Sequence, residues 1–106
     1  MIRIRSLTRT TAAFPSQWEG QTDDGQAVLI HYKRSVLSVS YFRYDGVPEN
    51  HRFRLEEVFS IVLTADDFVD DELYDDGFAE FPTIAAVLKK AGIVDIPEGL
   101  EIPDGF

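Results

Sequence analysis

The chain has 106 residues, 44% of them hydrophobic and 12% aromatic, a formal net charge of −9 and no cysteine. That length and apolar content fit one domain with its own core. The lack of cysteine excludes disulfides, thiolate catalysis and cysteine zinc sites. No apolar run approaches the ~20 residues that span a bilayer, and Met1-Ile2-Arg3-Ile4-Arg5 alternates charge with apolar side chains where a signal peptide would be continuously apolar. A cytoplasmic location is the expectation.

The charge is divided unevenly. Residues 1–54 hold eight Lys/Arg and five Asp/Glu, whereas residues 55–106 hold two and fourteen. A chain of this kind is repelled by nucleic-acid phosphates and anionic lipid and attracted to basic proteins, so the expected partner is a protein with a basic surface, with no direct nucleic acid and no membrane.

Met1 to Leu7 places Ile2 and Ile4 on one face and Arg3 and Arg5 on the other, the period of a half-buried strand. After Phe14-Pro15-Ser16, the segment Trp18-Glu19-Gly20-Gln21-Thr22 leads into Asp23-Asp24-Gly25, a hairpin signal because Gly accepts positive φ after a tolerant Asp. Gln26 to Lys33 is the return strand. A turn at Lys33-Arg34-Ser35 leads to Val36 through Tyr44, where Leu37, Val39 and Tyr41 alternate with Ser38 and Ser40, one dry face and one wet. Asp45 to Asn50, with Gly46 and Pro48, reads as a loop. Glu57 to Leu63 suits a buried strand or a buried helix, and its β-branched content favours a strand.

Thr64-Ala65-Asp66-Asp67 matches a capping box and predicts a helix from Ala65 to near Asp75-Asp76-Gly77, with Ala65, Phe68, Val69 and Leu73 on its core face. A second helix is predicted over 82–91. Pro82 opens it, Ile84, Val87, Leu88 and Ala91 follow the helical period, Lys89 and Lys90 suit its negative end, and Gly92 closes it. The tail carries Ile96-Pro97-Glu98-Gly99-Leu100 and then Ile102-Pro103-Asp104-Gly105-Phe106. It reads as an extended segment pinned by Ile96, Leu100 and Ile102, or as a linear motif offering Phe106. The expected fold is therefore α+β in a single domain over 1–106: an antiparallel β-meander of about three to five strands within 1–63, covered on one face by two short helices in 64–92, with an extended C-terminal tail over 93–106.

The chemistry-bearing residues are few. His31 and His51 lack a partner at metal-ligand spacing, and no G-x-S-x-G, Walker A, G-x-G-x-x-G or H-E-x-x-H segment is present. No enzyme activity, cofactor or metal site is expected. Asp66, Asp67, Asp70, Asp71, Glu72, Asp75, Asp76 and Glu80 come in pairs, unlike the alternating ligands of an EF-hand loop. On a helix, the pairs 66/70, 67/71 and 71/75 would set like charges four apart, each costing about 0.2–0.5 kcal/mol. They read as a solvated face that aids solubility, or as one neutralised internally by Arg43, Arg52 and Arg54, or as an anionic docking band in which Asp66, Asp67, Asp70, Asp71 and Asp75 point outward. The lone Trp18 reads as core, and Phe42 and Tyr44, sharing the parity of Ser38 and Ser40, form a candidate contact patch.

The segment Pro15-Ser16-Gln17-Trp18-Glu19-Gly20-Gln21-Thr22-Asp23-Asp24-Gly25, followed by Ala27 to Tyr32 and Leu37-Ser38-Val39, resembles a recurrent pattern in small bacterial or phage proteins of no known activity. The resemblance implies such a source and a shared hairpin, and no site residue. The functional expectation is a small acidic protein-binding module, such as an inhibitor, immunity or host-interaction factor, that meets a basic protein through Asp66, Asp67, Asp70, Asp71, Asp75, Phe42 and Tyr44. Its rival is a self-assembling structural or accessory subunit that docks its basic first half on a neighbour's acidic second half. An enzyme or metal protein with dispersed ligands is the third reading.

Overall fold

The computed structural model describes residues 1–12, 14–45, 52–69 and 72–106, and of residues 44, 45, 52 and 53 the backbone alone. The strands are β1 (Ile2–Arg9), β2 (Ser16–Thr22), β3 (Ala27–Lys33), β4 (Val36–Asp45), β5 (Arg52–Val62) and β6 (Val94–Asp95), with one helix, α1 (Phe81–Ala91). They form a single curled sheet in the order β5-β4-β3-β2-β1-β6. Neighbours are antiparallel from β1 to β5, and β6 lies parallel to β1.

This corrects the expected meander covered by two helices. The sheet has six strands and is mixed, because the tail returns to its edge. Among the described residues only one α-helix forms; where a helix was expected from 65 to 75 they show a 3₁₀ turn over Ala65–Asp67. The capping box that predicted the longer helix is present, with the Asp67 carboxylate accepting from the Thr64 N–H at 2.8 Å, but the chain leaves the turn at Phe68 in extended conformation. The reason lies in the acids themselves. Asp75 accepts the backbone N–H groups of Gly77 and Phe78 at 2.8 and 3.0 Å, and Glu72 accepts that of Glu80 at 2.6 Å. Such local bonds offer the backbone an alternative to helix, and they escape the like-charge spacing a helix would impose. Leu73, expected in the core, is 86% exposed.

The hairpin turns hold the sheet in register. Gly25, at φ 83°, closes β2 to β3, with Gln26 donating its N–H to the Thr22 hydroxyl at 3.0 Å. Between β3 and β4, Arg34 and Ser35 both take left-handed φ, 52° and 65°, a geometry that usually demands Asn or Gly. Ser35 is held there from outside: its N–H donates to the Asp76 carbonyl at 2.6 Å, and its carbonyl accepts from Leu63 at 2.7 Å.

The core lies on one face of the sheet. Ile4, Leu7, Trp18, Val28, Ile30, Tyr32, Leu37 and Val39 are buried against Phe68, Ala79 and the Ile84, Val87 and Leu88 face of α1. Trp18 is a core residue whose ring meets Phe81 edge-on at 5.4 Å. Helix α1 begins at Phe81 with Pro82 in its first turn and stops at Gly92, whose φ of 71° lets its N–H reach the carbonyls of Leu88 and Lys89.

Residues 63–69 and 72–80 form an irregular strap between β5 and α1. The buried Tyr32 hydroxyl donates to the Asp75 carbonyl at 2.6 Å, and the buried Ser16 hydroxyl accepts from Ala79 at 2.9 Å. The buried Thr83 hydroxyl accepts from Val69 at 3.1 Å and donates to the Glu72 carboxylate.

Two tests follow from this packing. A Cβ on Gly20 would stand 1.8 Å from the Ser6 carbonyl oxygen, where β1 carries a bulge between Ile4 and Ser6. Gly20→Ala is expected to lower unfolding free energy in urea by about 1–3 kcal/mol, with an unchanged m-value. Burial pushes the Tyr32 phenol up to about 12. The folded state therefore keeps a proton that the unfolded chain releases near its ordinary value of 10, so this contribution is complete below pH 10 and is lost as pH rises through about 12. Tyr32→Phe is expected to cost about 1–2 kcal/mol at neutral pH and to flatten the alkaline loss of stability in a denaturation series.

Candidate interaction site

The two edges of the sheet are unlike. On the β1 side the tail closes the edge: Ile2 donates to the Ile93 carbonyl at 2.9 Å, β6 pairs with Ile2 and Arg3, and Arg9 donates to Pro103 at 2.9 Å and accepts from Gly105 at 2.7 Å. On the other side, β5 is last in the sheet. Among the described residues, no backbone hydrogen bond reaches its outer edge.

β5 is eleven residues long and exposes Leu55 (47%), Val58 (37%), Ile61 (38%) and Val62 (64%). A long edge of this kind is a template for another strand. It also outruns the rest of the sheet. The last β3–β4 pair is Val28↔Tyr41, whereas β4 and β5 continue pairing through Phe42↔Leu55 and Arg43↔Arg54 to Asp45↔Arg52. The molecule is accordingly long, 48 × 26 × 25 Å. At the base of this two-stranded arm the Arg43 Nε donates to the Glu56 carboxylate at 2.9 Å, and the guanidinium lies 4.6 Å over the Tyr41 ring. The hydrogen bond from Arg43 holds the Glu56 carboxyl below its ordinary range. Val58 is the extra residue of a bulge, since Val39 pairs with Phe59 and Ser40 with Glu57.

The residues singled out in the sequence are scattered. Phe42 is half-buried and in register with Leu55, whereas Tyr44 pairs with Phe53 and its side chain lies outside the description. Asp66 is exposed, Asp67 caps the 3₁₀ turn, and Asp75 holds the backbone of Gly77 and Phe78. Asp70 and Asp71 lie outside the described residues, as do His51 and the expected loop residues Gly46 and Pro48. The apolar positions of β5 were the missed element. Their signal was the run Val58-Phe59 and Ile61-Val62-Leu63, which puts apolar side chains on both parities of a strand when only one face is covered.

On the face away from the core, His31, Lys33, Arg34, Val36, Ser38 and Glu57 line a depression of about 330 Å³. A second groove, of about 490 Å³, runs between α1 and the tail, with Phe81, Ala85, Lys89, Ile96, Pro97 and Leu100 among its walls. No group of three or more His, Cys, Asp or Glu among the described residues is arranged to hold a metal ion. Among the described residues, no helix is long and apolar enough to cross a membrane. No family model matches the chain, nor does any curated protein or solved structure.

Desolvation on this face, followed by the nearby Lys33 charge, lowers the His31 pKa from its ordinary 6.5. The unfolded chain then binds the proton more readily, so the neutral-His31 contribution is present above pH 6.5 and lost as pH falls through the folded-state value. His31→Gln is expected to reduce the loss of stability on mild acidification, read as a smaller shift in thermal midpoint between neutral and weakly acid buffer.

Proposed function

We propose that the protein is a small protein-binding module that takes a strand of its partner onto the outer edge of β5. The observation that carries this reading is the unequal treatment of the two edges: one closed by β6 and the tail, the other long, apolar and open. In strand addition, main-chain bonds supply affinity and the alternate side chains supply selectivity. Leu55 and Ile61 stand on opposite faces of β5, so an added strand would meet an apolar side chain on each. The acid-rich second half supplies a long-range field that favours approach of a basic protein. Inhibitor, immunity and host-interaction roles are all served by such a module.

The test uses affinity capture followed by hydrogen exchange on the captured complex. The expected result is slowed exchange along residues 54–62. The double variant Leu55→Lys with Ile61→Lys should lose capture while keeping a native circular-dichroism spectrum, because charges on an edge deter pairing. Protection confined to other segments, or capture indifferent to the two lysines, overturns the reading.

A further inference from the structure

Three residues on the open edge form a self-complementary unit. Arg54 and Glu56 share the core-side face of β5, and Leu55 between them alternates to the other. Consider β5 laid antiparallel against the β5 of a second copy, with a two-fold axis normal to the sheet. Each residue then faces one of the same parity. Centred on Leu55, Arg54 faces Glu56 of the second copy and Glu56, which keeps its own chain's Arg43 on Oε2, faces Arg54, while Leu55 meets its own copy. Centred one residue either way, Arg54 faces Arg54 or Glu56 faces Glu56. Centred on residue 53, Arg54 faces Arg52. Centring on residue 54 also sets Arg52 opposite Glu56, but at the cost of the Arg54–Arg54 contact. Opposite charges across a strand pair stabilise and like charges destabilise, so of these registers the Leu55 one alone makes opposite pairs with no like pair.

Two further observations favour a second copy. Beyond Tyr41 the β4–β5 arm is only two strands wide, and isolated two-stranded ribbons are marginally stable. Pairing about Leu55 turns that stretch into a four-stranded sheet. Because β6 and the tail close the opposite edge, the association stops at two chains rather than growing into a fibre. The net charge of −9 on each copy opposes the approach. At physiological ionic strength, screening over about 8 Å weakens that long-range repulsion more than the pairs in contact.

We infer that the protein forms a two-fold dimer by antiparallel pairing of β5 with β5 of a second copy, centred on Leu55 and held by reciprocal Arg54–Glu56 pairs. This rests on the strand-addition reading and names its partner.

Sedimentation equilibrium of the full chain at physiological salt reads the mass. The wild type is expected to dimerise at micromolar concentration, with concentration-dependent protection of the amides at 54–57. Arg54→Glu and Glu56→Arg should each weaken self-association by roughly tenfold or more, since both symmetric pairs change from opposite to like charges. An equimolar mixture of the two variants should restore dimers, as heterodimers. Leu55→Cys gives a second measure that leaves both charges in place. The chain has no cysteine of its own, and Cα atoms about 4.5–5.5 Å apart across an antiparallel pair are within disulfide reach. Mild oxidation should link Leu55→Cys into covalent dimers and leave Ile61→Cys monomeric. A wild-type dimer that ignores both charge reversals, or cross-links through position 61 instead of 55, overturns the inference. A wild type that stays monomeric also overturns it. In that case protection of 54–62 by a different captured protein would leave strand addition standing, whereas no protection of β5 by anything captured would remove both.

Discussion

The described residues of the strap between β5 and α1 make no repeating ladder of their own, so their backbone groups must be satisfied by side chains and by the sheet. Tyr32, Ser16 and Thr83 are buried polar side chains that supply those bonds, and the strap's own Asp67, Glu72 and Asp75 supply others. The dependence runs both ways. Asp76 and Leu63 hold Ser35 in a left-handed turn that few side chains favour, which fixes how β3 passes into β4 and, through β4, where β5 lies. Phe68 and Ala79, carried on the same strap, complete the core beside α1.

That arrangement gives the acidic residues of the second half a different meaning from a charged helix face. A carboxylate that accepts backbone N–H groups is a structural acceptor, and its charge is partly spent where it sits. The exposed Asp66 and Asp76 still contribute to the field around the molecule, but they stand on separate turns rather than along one helical stripe. Among the described acids of the strap, negative charge is therefore dispersed. The organised feature is the edge, where position, polarity and charge order coincide on a single strand.

Much of the sheet was legible because its signals are local. Asp23-Asp24-Gly25 and the alternation of Leu37, Ser38, Val39 and Ser40 each name a turn or a face without reference to distant residues. The helix over 81–91 was legible for the same reason, with Pro82, its apolar period and Gly92 in agreement. The failures were non-local. Thr64 and Asp67 form their capping box whether one turn follows or three, and what ends the helix is a set of bonds to Gly77, Phe78 and Glu80 that spacing does not encode. A two-residue strand such as Val94–Asp95 has no period to detect, yet pairing with Ile2 and Arg3 makes the sheet mixed and closes one edge.

The open edge was hidden for a related reason. The run from Val58 to Leu63 reads as buried because both parities are apolar, and two-sided burial is the ordinary cause of that pattern. Here Leu63 is buried and Phe59 packs against the core, while Val58, Ile61 and Val62 are exposed. The apolar excess therefore exceeds what the fold itself consumes. A bulge at Val58 interrupts the strand between this stretch and the Arg54-Leu55-Glu56 unit, so any added strand meets two short regular segments rather than one long one. Charge order can fix register in the first, where like-charge alternatives exist to be rejected. The second, carrying Ser60, Ile61 and Val62, has no charged residue and cannot discriminate in that way. An added strand would therefore find its charge-selected register in residues 54–57, with the apolar end adding area to whatever register those residues select.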